Sequence, residues 1–196
     1  MNETFAEYRA RLPFHQVAGV KFQAVPVSPS ETSTPLQMVC FLDSRLNQHY
    51  AGGTEAVDQH LSGGIKALRA ADHFRGDFLE TLLLEPRDGQ IKAAKLLLLG
   101  LGDPEQLTLT RLESLGHLAV MEAIKLGVPS FSFAPSLKDA GLSSFSAAEV
   151  AEVLSRGMVR ALKSAHALAE KKLLPNFALE EIIFLAGAAH LASAQD

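Results

Sequence analysis

The chain has 196 residues, of which 47% are hydrophobic and 20% charged, with a formal net charge of −4 and one cysteine. That length suits a single substantial domain able to bury about 70% of its unfolded surface, and the composition excludes a disordered or fibrous chain. The acidic balance argues against nucleic acid or anionic lipid as partners, and a lone cysteine excludes an internal disulfide and a thiolate metal site.

The N-terminus, MNETFAEYRARLPFHQ, has acids and arginines where a secretory signal needs an apolar stretch, so residues 1–17 read as a short helix or loose arm. No run approaches the roughly 18 apolar residues of a membrane helix, and a cytoplasmic protein is expected. Gly19 to Val25 alternates like a strand. The following PVSPSETSTP, Pro26 to Pro35, has the composition of an exposed loop. LQMVCFL, Leu36 to Leu42, is a short continuous apolar run that suits a strand buried on both faces, with Cys40 as an inert buried thiol.

Thr54 then offers a helix N-cap, and Val57, Leu61, Ile65 and Leu68 form one apolar helical face. Gly63 and Gly64 fall within that helix at a cost of about 1 kcal/mol each, which predicts close approach of the backbone to a neighbouring element there, in preference to a ligand contact. Thr81 to Pro86 and Ala93 to Leu101 flank an Asp88-Gly89 turn and read as a hairpin. Thr110 with Glu113 predicts a capping box for a helix that Gly127 ends, and PSFSFAP, Pro129 to Pro135, predicts a strand near a sheet edge because prolines bound it. Ser146 with Glu149 predicts the capping box of a long helix ending before Pro175, and Ala178 to Gly187 is a last strand. Interleaved strands and helices imply one three-layer α/β/α domain with a mixed sheet.

The seven histidines include no His-Glu-x-x-His or His-x-His pair, and His117 and His166 each stand singly on a predicted helix. There is no Gly-x-Ser-x-Gly elbow and no P-loop, and Glu180 and Glu181 point to opposite faces of a strand. Lys171 and Lys172 suit the negative end of a helix dipole. No catalytic residue, metal or cofactor is expected on these grounds.

The run LLLLGLGDPEQLT, which begins at Leu96, raises one question of chemistry, because a strand ending on two glycines before a helix can cradle a phosphate. The dinucleotide pattern Gly-x-Gly-x-x-Gly fails at Glu105, Pro104 has no N–H to donate, and Asp103 and Glu105 repel an anion. The glycines read as a strand exit and turn. If the domain holds a ligand, the candidate residues are Gly52, Gly53, Gly100, Gly102 and Asp103.

The stretch from Ala56 to Thr108 resembles the N-terminal domain of the leucyl (cytosol) aminopeptidases. Val57-Asp58 with Leu61, Asp72-His73-Phe74-Arg75-Gly76, Thr81-Leu82-Leu83-Leu84 and Leu99-Gly100-Leu101-Gly102 match, in order, that family's Leu-Asp-x-x-Leu-x-Gly helix, Gly-Asp-Phe-x-Gly-Lys turn, Thr-Leu-Leu-Leu strand and Val-Gly-Leu-Gly strand exit. More weakly, the similarity covers about residues 36–187. It implies a fold similar to macro domains, in which the equivalent of the Gly100 loop holds the phosphates of ADP-ribose, whereas in the aminopeptidases this domain shapes a hexamer. The family's two-metal catalytic domain, with motifs such as Asn-Thr-Asp-Ala-Glu-Gly-Arg, has no counterpart in this sequence, so no catalytic or metal residue carries over.

The resemblance implies a stand-alone, non-catalytic relative that acts by association, with itself or with a full-length aminopeptidase, or by regulating one. The alternative is a macro-type domain that binds or hydrolyses ADP-ribose or a related nucleotide between the Gly52-Gly53 and Gly100-Gly102 loops. A DNA-binding accessory is the weakest reading, given the acidic balance.

Overall fold

A computed structural model describes residues 16–185; the reading of residues 1–17 as an arm lies outside them up to residue 15, and Gln16–Val17 are part of a strand pairing with the next. Seven strands form one sheet: β1 (Gln16–Val17), β2 (Val20–Val25), β3 (Leu36–Leu42), β4 (Thr81–Leu84), β5 (Lys95–Gly102), β6 (Ser130–Ala134) and β7 (Glu181–Leu185). Four α-helices accompany them: α1 (Gly52–His60), α2 (Gly64–Ala70), α3 (Leu109–Lys125) and α4 (Ala147–Glu170). The sheet order is β1-β2-β7-β6-β3-β5-β4, with a parallel centre and an antiparallel strand at each edge.

The continuous apolar run of β3 explains its place near the middle, since every residue from Leu36 to Leu42 is buried. Its alternating side chains feed two cores. Met38, Cys40 and Leu42 join Leu97, Leu99, Phe131 and Phe133 beneath α3 and α4, whereas Val39 and Phe41 join Leu96, Leu98, Val57 and Ile65 beneath α1 and α2. Helices on both faces give the three-layer arrangement, and burial pushes the Cys40 thiol pKa well above its usual range. Helices α3 and α4 touch backbone to backbone: a Cβ on Gly116 would lie 2.9 Å from the Leu154 carbonyl carbon, and one on Gly157 would lie 2.8 Å from that of Glu113.

Several elements match their sequence signals. The Asp88-Gly89 hairpin forms, with Thr81 opposite Leu99 and Leu84 opposite Leu96. Ser146 and Glu149 form the reciprocal capping box of α4. Strand β7 ends, within the described residues, at Leu185.

Others differ for physical reasons. The single helix expected from Thr54 through Leu68 is two, because Ser62 and Gly63 adopt positive φ, and nothing crowds Gly63 or Gly64 closer than 3.8 Å. The N-cap of α1 is Ala51, and Thr54 is buried inside its first turn. The N-cap of α3 is Thr108, whose hydroxyl accepts from Arg111 N, so Thr110 lies within the helix. Strand β6 is the central strand and not an edge: its prolines flank the ladder without interrupting it, and Ser132 is fully buried, donating to Gln37 Oε1 at 2.5 Å. The segment 26–35 holds a 3₁₀ turn, Pro29–Glu31, and buries Pro29, Ser30, Thr32 and Thr34.

Candidate functional site

Strands β3 and β6 lie side by side, and the connections from their carboxyl ends run in opposite directions across the sheet: from β3 through α1 and α2 to β4 at one edge, and from β6 through α4 to β7 on the other side. In open α/β sheets, ligands collect in the crevice outside the carboxyl ends of the strands at such a point. The crest there is built by four segments: residues 43–53, from the end of β3 into the first turn of α1; residues 72–80 before β4; residues 100–103 at the end of β5; and residues 135–141 after β6.

The five residues singled out from the sequence all lie on this crest, and each has a neighbour from the chain itself. A Cβ on Gly100 would overlap Asp77 O and lie 2.7 Å from the Gly76 carbonyl carbon, and one on Gly102 would lie 2.9 Å from Phe78 Cβ. These glycines therefore let the Gly76-Asp77-Phe78 segment lie directly on β5. Gly102 N donates to Gly76 O, Leu79 N to Gly100 O and Gly100 N to Glu80 O. Gly102, at φ +77°, also makes the strand exit. Asp103 caps the 3₁₀ turn Pro104–Gln106 by accepting from Glu105 N at 2.9 Å.

Gly52 has φ +57°, and a Cβ there would lie 3.0 Å from the Asp139 carboxyl carbon; one on Gly53 would lie 2.8 Å from Pro29 Cδ. The Asp139 carboxylate accepts from Thr54 N and from Thr54 Oγ1, both at 3.1 Å, at the positive end of α1. A second carboxylate, Glu80, accepts from the backbone N–H groups of Arg75, Gly76 and Asp77 at 3.0, 2.7 and 3.0 Å. Successive N–H groups of this kind form an anion-binding nest. Both backbone cradles on the crest thus hold a carboxylate of the chain itself.

Sequence reasoning missed Asp139, Glu80 and Asp58. Asp58 accepts from Tyr50 Oη at 2.7 Å and from Ile65 N at 2.8 Å, so it joins residues 43–51 to the start of α2. Its only sequence signal is the Val57-Asp58 pair of the resemblance. Arg45 chelates Asp43 and reaches Asp77 at 2.5 Å, which holds the Asp43 carboxyl below the usual carboxylate range. Of the lone histidines, His166 contacts Ala18 O at 2.9 Å, and His117 is half-buried against α4. Lys171 is the C-cap of α4, with Lys172 in the left-handed region after it. Among the described residues, no three His, Cys, Asp or Glu side chains are grouped to hold a metal ion, and no helix is long and apolar enough to cross a membrane.

The model of the cytosol aminopeptidase family N-terminal domain matches residues 38–180. The chain belongs to this family. A mutant of tomato leucine aminopeptidase superposes with a TM-score of 0.61 at 17% identity, covering 85% of this chain and 32% of that one. The chain thus spans about a third of the tomato enzyme. A mutant macrodomain of Oceanobacillus iheyensis with ADPR gives 0.59 at 13% identity, covering 88% and 89% of the two chains. A Trypanosoma brucei macrodomain in complex with ADP gives 0.55 at 17% identity, covering 93% and 70%. At these identities the likeness is one of fold, and the aminopeptidase N-terminal domain here has the macrodomain architecture. No match was found among curated proteins.

Proposed function

We propose that this aminopeptidase-type domain acts by protein association, with a second copy of itself or with a full-length aminopeptidase, and carries no chemistry of its own. The observation that supports the reading is the occupied crest. Glu80 fills the nest of residues 75–77, Asp139 fills the first turn of α1, and Gly100 and Gly102 are covered by residues 76–78. A phosphate brought to either cradle would have to displace a carboxylate already hydrogen-bonded there.

The second reading, a macro-type site for ADP-ribose or a related nucleotide, is favoured by the likeness to the Oceanobacillus iheyensis macrodomain with ADPR and the Trypanosoma brucei macrodomain in complex with ADP. Calorimetry separates the two. Association predicts no heat with ADP-ribose at ligand concentrations on the order of 1 mM, and co-elution with a full-length aminopeptidase in size-exclusion chromatography with light scattering. It also predicts no turnover of leucine amides with manganese or zinc. Saturable ADP-ribose binding or clean turnover would replace this reading.

A further inference from the structure

One cation beneath the crest stands apart from the pairing just described. Arg69, on α2, is only 7% exposed, and its guanidinium lies 5.1 Å from the Phe41 ring centre and 5.9 Å from that of Tyr50. Its Nη2 donates to Asn47 O at 3.2 Å, while its buried Nη1 has no hydrogen-bond partner among the described residues. A buried guanidinium with no anion hydrogen-bonded to it is costly, because the charge has left water and only more distant carboxylates offset the loss. The three carboxylates whose field reaches it are engaged elsewhere: Asp43 with Arg45, Asp58 with Tyr50 Oη and Ile65 N, and Glu80 with residues 75–77.

Residues 45–50 cover this group without forming a helix or strand. They are pinned at a few points: Asn47 Nδ2 to Ala140 O at 3.1 Å, Arg45 to Asp77, and Tyr50 Oη to Asp58. Leu46, on the same segment, is 59% exposed, so little apolar burial holds its outer part down. We propose that Arg69 is the receptor of a small oxyanion, a carboxylate or an inorganic phosphate, admitted when residues 45–50 lift from Phe41 and α2. The planar fork of arginine offers such a group two parallel N–H donors, and the face of Phe41, on the strand that stays in place, holds the fork when Tyr50 moves away with its segment. The site is distinct from the two backbone cradles, whose donors already hold Glu80 and Asp139.

The test is thermal unfolding of the whole chain in sodium phosphate, sodium acetate and sodium chloride at matched ionic strength, which removes general screening as a cause. The expected result is a Tm higher by about 5 °C or more in phosphate or acetate than in chloride, and absent in Arg69→Met. A rise with phosphate alone assigns a phosphoryl ligand, and one with acetate assigns a carboxylate. Amide NMR on the wild type should place the shifts at Phe41, Asn47, Tyr50 and Arg69. No oxyanion-specific rise, a rise that persists in Arg69→Met, or shifts centred on Thr54 and Gly76 would overturn the assignment. Should Arg69→Met fail to fold, Arg69→Lys keeps the charge without the fork and must reduce the rise; an undiminished rise counts against the site. A null result here leaves the association reading standing, because that reading is tested at the cradles and by co-elution.

Discussion

Replacing Gly100 by alanine tests what the Gly-Leu-Gly strand exit is for. Gly100 is not in the left-handed region, so its backbone suits alanine and the cost is purely one of space. The new Cβ would lie 2.7 Å from the Gly76 carbonyl carbon and 2.8 Å from that of Asp77, both main-chain atoms that cannot rotate away. Residues 76–80 must therefore lift from β5, which breaks the bonds Gly102 N to Gly76 O, Leu79 N to Gly100 O and Gly100 N to Glu80 O. At about 1 kcal/mol net for each bond, the loss is roughly 3 kcal/mol, at the upper end of ordinary overpacking. That is a large part of a typical total stability of about 5–15 kcal/mol. Urea unfolding followed by circular dichroism measures it, with Gly89→Ala as the control. Gly89 has φ +84° and no neighbour within 4 Å, so alanine there costs only about 1 kcal/mol of backbone strain. If Gly100→Ala costs no more than Gly89→Ala in ligand-free protein, the glycine is not there for the Gly76-Asp77-Phe78 segment, and a ligand role regains its case.

Asp139→Ala removes the carboxylate from the first turn of α1 and should lower stability by about 1 kcal/mol, the usual value of a lost helix cap. An unchanged urea midpoint would mean that Asp139 does not stabilise that turn. His117 has its pKa held below the ordinary imidazole value of about 6.5, first by burial and then by Arg160, and its Nδ1 has no hydrogen-bond partner among the described residues. Between the folded and unfolded pKa values the unfolded chain binds more protons, so stability should fall as pH drops below about 6.5. His117→Gln should flatten that part of the stability–pH curve, and an identical slope in both proteins would show that another group is responsible.

Local signals in the sequence worked where the deciding contacts are themselves local. The Asp88-Gly89 turn joins two apolar runs into the β4–β5 hairpin, and Ser146 with Glu149 caps α4, because both depend on residues a few positions apart. Thr108 and Thr110 compete for one helix start, and hydroxyl spacing alone does not choose between them. The prolines around β6 suggested an edge, yet the strand lies at the centre, since neither proline occupies a ladder position between Ser130 and Ala134. The loop of residues 26–35 looked exposed by composition, yet packing buries four of its residues, Pro29 among them against Gly53, and leaves Glu31 and Ser33 exposed.

The candidate site was half legible. All five chosen residues sit on the crest, but the groups that decide its chemistry, Asp139 and Glu80, carry no motif, and Arg69 reads as an ordinary helical cation until its burial is known.

What the sequence determined by itself was the kind of elements and their order, because propensity, capping and hydrophobic period act over a few residues, and, through the motifs between Ala56 and Thr108, a resemblance to a family. What only the tertiary structure decided was which groups meet. Thr54 and Asp139 are 85 positions apart, and Gln37 and Ser132 are 95 apart. Whether a glycine opens a cradle for a ligand or makes room for the chain's own backbone depends on such distant neighbours, and at Gly100 and Gly102 the space is taken by Asp77 and Phe78.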